Sequence, residues 1–340
     1  MDRPIVNRND RFIDLHLHLD GAVTPLIARR LGEMQGMALP EDELLEKQLC
    51  VPPDCLSLND FLRCFELPLT LLQTREALAE CTKLVCKSLA EQGVVYAEIR
   101  FAPQLHCQRG MSQEDAVRAV LDGLESCPFD AGLILCCMRG RGNERENAET
   151  LALTAKYLSA EGGAAAMDLA GAEALFPTRN YRELFENAAD KGIPFTIHAG
   201  EADGADSIRE AVNFGASRIG HGVRCFEDSA LAELVREKGI PLEMCLTSNR
   251  QTHAVENMAE HPFMRYFLQG LKVTLNTDDP AIERTDIAAE YRYAEELFGI
   301  DGKQKRQLLE NAVEAAFAGE RVKARVRAEL GLVAGGAVDG

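Results

Sequence analysis

A chain of 340 residues, 46% of them hydrophobic, can bury one large core and falls in the size range of α/β barrels. Its formal charge of −17 argues against nucleic acid, because neutralising phosphates needs a basic surface; the acidity is read as a solubility feature. No apolar run reaches the roughly 20 residues of a membrane span, and the opening MDRPIVNRND lacks the apolar centre of a secretory signal.

Eleven cysteines with no CxxC pair read as reduced thiols, which points to the cytoplasm. The first strand is expected over residues 11–19, RFIDLHLHL. The stretch from 24 to 92 is far longer than one helix and must hold several. Within it, LNDFLRCFE places Phe61 and Phe65 at i and i+4, on one face of a helix. A second strand follows at 94–102, then a helix capped by Ser112, and strands at 131–138 and 164–170. Asn180 is expected to cap the next helix and Gly192 to end it. Strands at 193–200, 217–222, 240–247 and 271–277 complete the set. Eight strands alternating with helices predict an α/β fold, a (β/α)8 TIM-type barrel with additional helices inserted after the first strand. Residues 1–330 read as a single barrel domain and 331–340 as a loose tail.

The carboxyl ends of barrel strands carry the chemistry. Of seven histidines, four fall there: His16 and His18 on the first strand, His198 on the fifth and His221 on the sixth. The eighth strand runs into Asp278 and Asp279. Residues at i and i+2 of a strand share a face, so His16 and His18 project together. Imidazoles buried there are costly unless hydrogen-bonded or bound to something. An isolated HxH motif is ordinary in a core. With His198 and one eighth-strand carboxylate, though, the pair makes the three-nitrogen, one-oxygen set of a catalytic zinc site. Spacing alone does not choose between Asp278 and Asp279.

HLHLDGA, DLAGAE, HAGE, IGHG, TSN and NTDDP occur in this order, each at an expected strand end, and span nearly the whole chain. In these motifs the sequence resembles the adenosine deaminase family, the adenosine/AMP deaminases among the metal-dependent hydrolases. The resemblance implies one zinc ion (Zn2+) per chain, held by His16, His18, His198 and Asp278. It implies a small purine nucleoside as substrate: adenosine, with 2'-deoxyadenosine, is deaminated to inosine and ammonia in purine salvage. In that scheme zinc-bound hydroxide attacks C6 while Glu201 protonates N1. His221 orients the water and aids its deprotonation, and Asp279 fixes the nucleophile and contacts N7. Asp20 binds a ribose hydroxyl, the Gly171 N–H meets N3, His18 also borders the substrate, and the helix of Phe61 and Phe65 closes an apolar wall over it. The roles of Asp168 and Glu173 stay open between structure and function. Two departures from the family pattern bear on substrate preference: Arg250–His253 after TSN, where many members carry glycine, and Gly140, where a histidine often stands. Deamination of adenine or another 6-aminopurine in the same barrel is the near alternative, and a zinc barrel without catalysis the distant one. A two-metal hydrolase would need a lysine at the fourth strand end, which DLAG lacks. The absence of CxxC excludes the cysteine-ligated nucleobase deaminases.

Overall fold

The structure, a computed structural model, describes residues 10–52, 55 and 58–332, with the backbone alone at 59 and 60. The readings on the first nine residues and on the tail from 333 fall outside these.

All eight expected strands form: β1 Phe12–His18, β2 Val94–Phe101, β3 Asp130–Met138, β4 Ala164–Ala170, β5 Thr196–Ala199, β6 Arg218–His221, β7 Leu242–Met244 and β8 Val273–Leu275. They pair in parallel as β1-β2-β3-β4 and β5-β6-β7-β8. Parallel bridges Met167–Phe195 and Leu17–Asp278 join the two halves and close the barrel. At the second seam Asp278 N–H donates to His16 O at 2.7 Å and His18 N–H to Asp278 O at 2.8 Å. The two strand ends richest in candidate ligands are therefore laced together by backbone. Helices cover the outer face and side chains fill the inner one. Every residue of β2 and β4 is accordingly buried, as expected of strands covered on both sides.

The segment after β1 holds five helices, α1 Pro25–Gln35, α2 Asp42–Leu49, α3 Leu58–Phe61, α4 Glu66–Leu71 and α5 Arg75–Glu91. Thr24 caps α1, with Pro25 at its first position, and Gly36 ends it in the left-handed region. Ser112 caps its helix as expected, its Oγ accepting from Asp115 N–H at 3.0 Å. Gly192, with φ of 67°, ends Arg182–Asp190 as expected.

Two local expectations fail. Phe61 and Phe65 do not lie on one α-helix, because α3 gives way to a 3-10 turn, Leu62–Phe65, before α4. Pro68 explains the break: it has no N–H to bond the carbonyl of Cys64, so a continuous helix through this stretch would lack a rung. Asn180 caps nothing. Pro177 leads into a 3-10 turn, Thr178–Tyr181, which carries the chain directly into the helix at Arg182 and leaves Asn180 inside the turn. Among the described residues no helix is long and apolar enough to cross a membrane.

Candidate active site

Four side-chain atoms converge at the carboxyl end of the barrel. His16 Nε2 lies 3.0 Å from His198 Nε2 and 3.2 Å from Asp278 Oδ1. His18 Nε2 lies 3.3 Å from His198 Nε2 and 3.4 Å from the same carboxylate oxygen. The far nitrogens of two rings explain this packing. His16 Nδ1 faces Glu243 Oε2 at 2.7 Å, and His198 Nδ1 faces Asp168 Oδ2 at 3.0 Å. Carboxylates accept, so both Nδ1 atoms carry hydrogen, and in neutral rings both Nε2 atoms present lone pairs to each other. Two lone pairs 3.0 Å apart repel; a cation among three imidazoles and a carboxylate resolves the conflict, and the donor set suits zinc. Burial pushes the His18 pKa well below its usual value, which keeps that ring neutral as well. Burial would raise the Asp278 carboxyl, but His16, His221 and His18 beside it hold it well below the carboxylate range.

His221 complicates the count. Its Nε2 stands 3.7 Å from Asp278 Oδ2 and 3.6 Å from Glu201 Oε2. Ligand atoms of His16, His198, His221 and Asp278 all lie within 4.8 Å of one another. Five donors thus face one region, and distance alone does not pick four.

The carboxylates behind the rings are held in turn. Arg100, on β2, donates to Asp168 at 2.8 Å and to Glu243 at 3.0 Å. Arg218, on β6, donates to the other Glu243 oxygen at 2.6 Å and pairs with Glu98 at 2.6 Å. These charges are buried and compensate one another, as buried charges must. Glu173 receives the N–H groups of Gly200, Glu201, Ala202 and Asp203 at 2.7 to 3.0 Å, and so shapes the loop that presents Glu201. Asp168 and Glu173 thus brace the site from behind.

Toward solvent, a cavity of about 300 Å3 opens above these atoms. Every candidate substrate residue lines it: His18, Asp20, Phe61, Phe65, Gly171, Glu201, His221 and Asp279. The Phe61 and Phe65 rings meet edge to face at 6.3 Å despite the broken helix. Gly21 shows why glycine follows Asp20: a Cβ there would fall 1.8 Å from Asp279 Oδ1. Burial first, then Asp278 and Asp20 nearby, push the Asp279 carboxyl well above its usual range, and burial raises Asp20 to about 6. His221 and Asp278 both adopt positive φ, 59° and 70°, uncommon for residues with a side chain and typical of functional turns. Of the two departures, His253 bonds Cys55 O at 2.8 Å and ties the loop after β7 to the segment below α3; Gly140 N–H donates to Tyr181 Oη at 2.8 Å.

Sequence reasoning missed Arg100, Arg218 and Glu243, although a charged residue inside an apolar strand (EIRF, SRIGHG, LEMC) marked each of them. It also missed Glu283, whose Oε1 accepts from Asp279 N–H at 3.1 Å, and Asn249 and His261, which lie behind His221.

Comparison with known proteins fits this geometry. The sequence profile described as adenosine deaminase matches residues 12–332. The chain is 46% identical over 326 residues to adenosine deaminase of Haemophilus ducreyi, covering 94% of this chain and 95% of that one. It is 37% identical to the enzyme of the same name from Enterococcus faecalis, over 90% and 91% of the two chains. Among solved structures, the adenine deaminase of Arthrobacter aurescens superposes with a TM-score of 0.83 at 28% identity, over 94% and 98% of the two chains. A barrel with its donors laced together at the β1–β8 seam, matched end to end by this profile, belongs to the adenosine deaminase family.

Proposed function

We propose that the protein catalyses the hydrolytic deamination of adenosine, and of 2'-deoxyadenosine, to inosine and ammonia, a purine-salvage step in the cytoplasm. The observation that carries this reading is the convergence of imidazole nitrogens and the Asp278 carboxylate on the cavity that Glu201 and Asp279 also line. His16, His18, His198 and Asp278 would hold one zinc ion per chain, which would supply Lewis acidity that lowers the pKa of water to around 7.

The rest falls to the chain's own groups. The purine lies in the cavity with N3 at the Gly171 N–H and N7 at Asp279. The Glu201 carboxyl delivers a proton to N1 as C6 becomes tetrahedral, which relieves the charge that addition to the ring would build. His221 holds the attacking water in line from the β6 end. Phe61 and Phe65 cover the ring and exclude bulk water, and Asp20 takes a ribose hydroxyl. Nine of the eleven cysteines are buried, as small hydrophobic thiols in a reducing compartment are.

Adenine is the second reading, favoured by the name of the Arthrobacter aurescens relative. Against it stands Asp20, a buried carboxylate in the cavity wall whose Oδ1 lacks a hydrogen-bond partner among the described residues and so awaits a donor such as a sugar hydroxyl. Inosine formed from adenosine, rather than hypoxanthine from adenine, separates the two. Glu201→Gln keeps the shape of the acid without its proton. It should retain zinc and lose turnover by about 10²- to 10⁴-fold; wild-type turnover in that variant would remove Glu201 from the reaction.

A further inference from the structure

A chain of three hydrogen bonds behind His221 has a direction that can be read from one end. The backbone N–H of Phe263 can only donate, and it meets His261 Nδ1 at 3.1 Å, so Nδ1 is an acceptor. Burial, aided by His221 nearby, holds the His261 pKa down to about 3; the ring is neutral and its hydrogen sits on Nε2. That Nε2 faces Asn249 Oδ1 at 3.1 Å, which fixes the orientation of the amide: oxygen toward His261, nitrogen away. Asn249 Nδ2 then donates to His221 Nδ1 at 3.1 Å. With Nδ1 accepting, a neutral His221 carries its hydrogen on Nε2. Asn249, His221 and His261 are all buried, so no solvent competes for these positions.

We propose that His261 and Asn249 are positioning residues that fix His221 in its Nε2–H form. His221 Nε2 has no hydrogen-bond partner among the described residues and points between Glu201 Oε2 and Asp278 Oδ2. In this form it donates a hydrogen bond toward the reacting centre. It has no lone pair to offer a metal at that nitrogen, which separates it from the other four donors and leaves His16, His18, His198 and Asp278 as the ligand set. Nor can Nε2 accept a proton while it already holds one, so His221 orients the attacking water rather than deprotonating it. The kinetic consequence rests on the deaminase reading above; the position of the hydrogen does not.

The test is long-range 1H–15N correlation NMR on the zinc-loaded protein with 15N-labelled histidine, the His221 signals being assigned by their loss in His221→Gln. Wild-type His221 should show a hydrogen-free Nδ1 and a protonated Nε2. Asn249→Asp replaces the donor amide with an acceptor, so His221 Nδ1 should become protonated while zinc is retained. Its turnover should fall about 100-fold with KM within about threefold, the range one positioned hydrogen-bond donor commands. His261→Gln keeps a side-chain donor toward Asn249 Oδ1 and should stay within about fivefold of wild type. His261→Leu frees the amide to turn over and should lose at least tenfold more than His261→Gln. A hydrogen on wild-type Nδ1, alone or together with Nε2, overturns the proposal. So does an unchanged His221 spectrum in Asn249→Asp. If Asn249→Asp fails to hold zinc, equal behaviour of His261→Leu and His261→Gln overturns it instead. Should wild type prove inactive on adenosine, the spectra still decide the matter.

Discussion

Two buried carboxylates at the heart of this barrel are treated in opposite ways. Glu243 accepts from His16, Arg100, Arg218 and Thr196; burial would raise it, but the two arginines hold it well below the carboxylate range. Asp279 has an oxygen with no partner among the described residues, and burial beside Asp278 pushes its carboxyl well above that range. Both are at least 96% buried, so the contrast comes from neighbours and not from solvent. The lower layer is a chain of ion pairs, Asp168–Arg100–Glu243–Arg218, that fixes the rings above it and leaves only Arg100 Nε without a partner among the described residues. The upper layer, Asp20, Asp279 and His221, keeps unmet hydrogen-bonding capacity for something that arrives. A buried polar atom left unmatched costs about 1–3 kcal/mol, and the braced layer below is what allows the mouth to carry several of them.

Breaking this chain of ion pairs should have the largest effect. Arg100→Met leaves Asp168 and Glu243 short of a counter-charge that each touches within 3.0 Å. Removing one partner of a buried pair costs about 3–5 kcal/mol. Urea unfolding of the variant should show a loss of that size, and zinc affinity should fall with it because both second-nitrogen acceptors lose their anchor. A loss under about 1 kcal/mol would mean that these ion pairs do not hold the layer together.

Glu290 offers a sharper version of the same contrast. It accepts from Thr247 N–H and from the hydroxyls of Thr247 and Thr285, yet it pairs with no cation among the described residues, and burial pushes its carboxyl up to about 7. A folded pKa above the unfolded value means that the folded state holds the proton more tightly. Stability is then fully present below pH ~4.5 and declines as pH rises through about 7, by up to about 3 kcal/mol. Glu290→Gln carries no such titration. Between pH 5 and pH 8 its urea midpoint should fall less than that of the wild type; parallel declines in the two proteins would assign the loss to other groups.

The barrel was legible because alternation and apolar runs are local properties: all eight strands were expected where they formed, and the donor residues lay at strand ends where barrels keep their chemistry. The inserted segment and the turn after β4 were less legible, since Pro68 and Pro177 sit beside 3-10 turns whose effect depends on which carbonyl loses its donor. The bracing layer was legible in kind but overlooked: Arg100, Arg218 and Glu243 each interrupt an apolar strand, but their partners are up to 227 residues away in the chain. Asn249 and His261 were hidden for the same reason, since the value of each depends on a bond direction that only the folded arrangement defines.

The smallest expected effect lies on the apolar side of the mouth, where neither charge nor hydrogen bonding is at stake. Phe65 is only partly buried, lines the cavity and meets Phe61 edge to face, so its ring shields whatever occupies the space below. Truncation to alanine removes contact area with a bound purine worth on the order of 1.4 kcal/mol, roughly tenfold in affinity. That contact exists in ground state and transition state alike, so KM should rise about tenfold while kcat stays within about twofold. Steady-state kinetics on adenosine check this directly. A fall in kcat matching that of Glu201→Gln would instead mean that this wall helps to organise the reacting groups, and the division into a braced layer and a receptive mouth would have to be redrawn to include it.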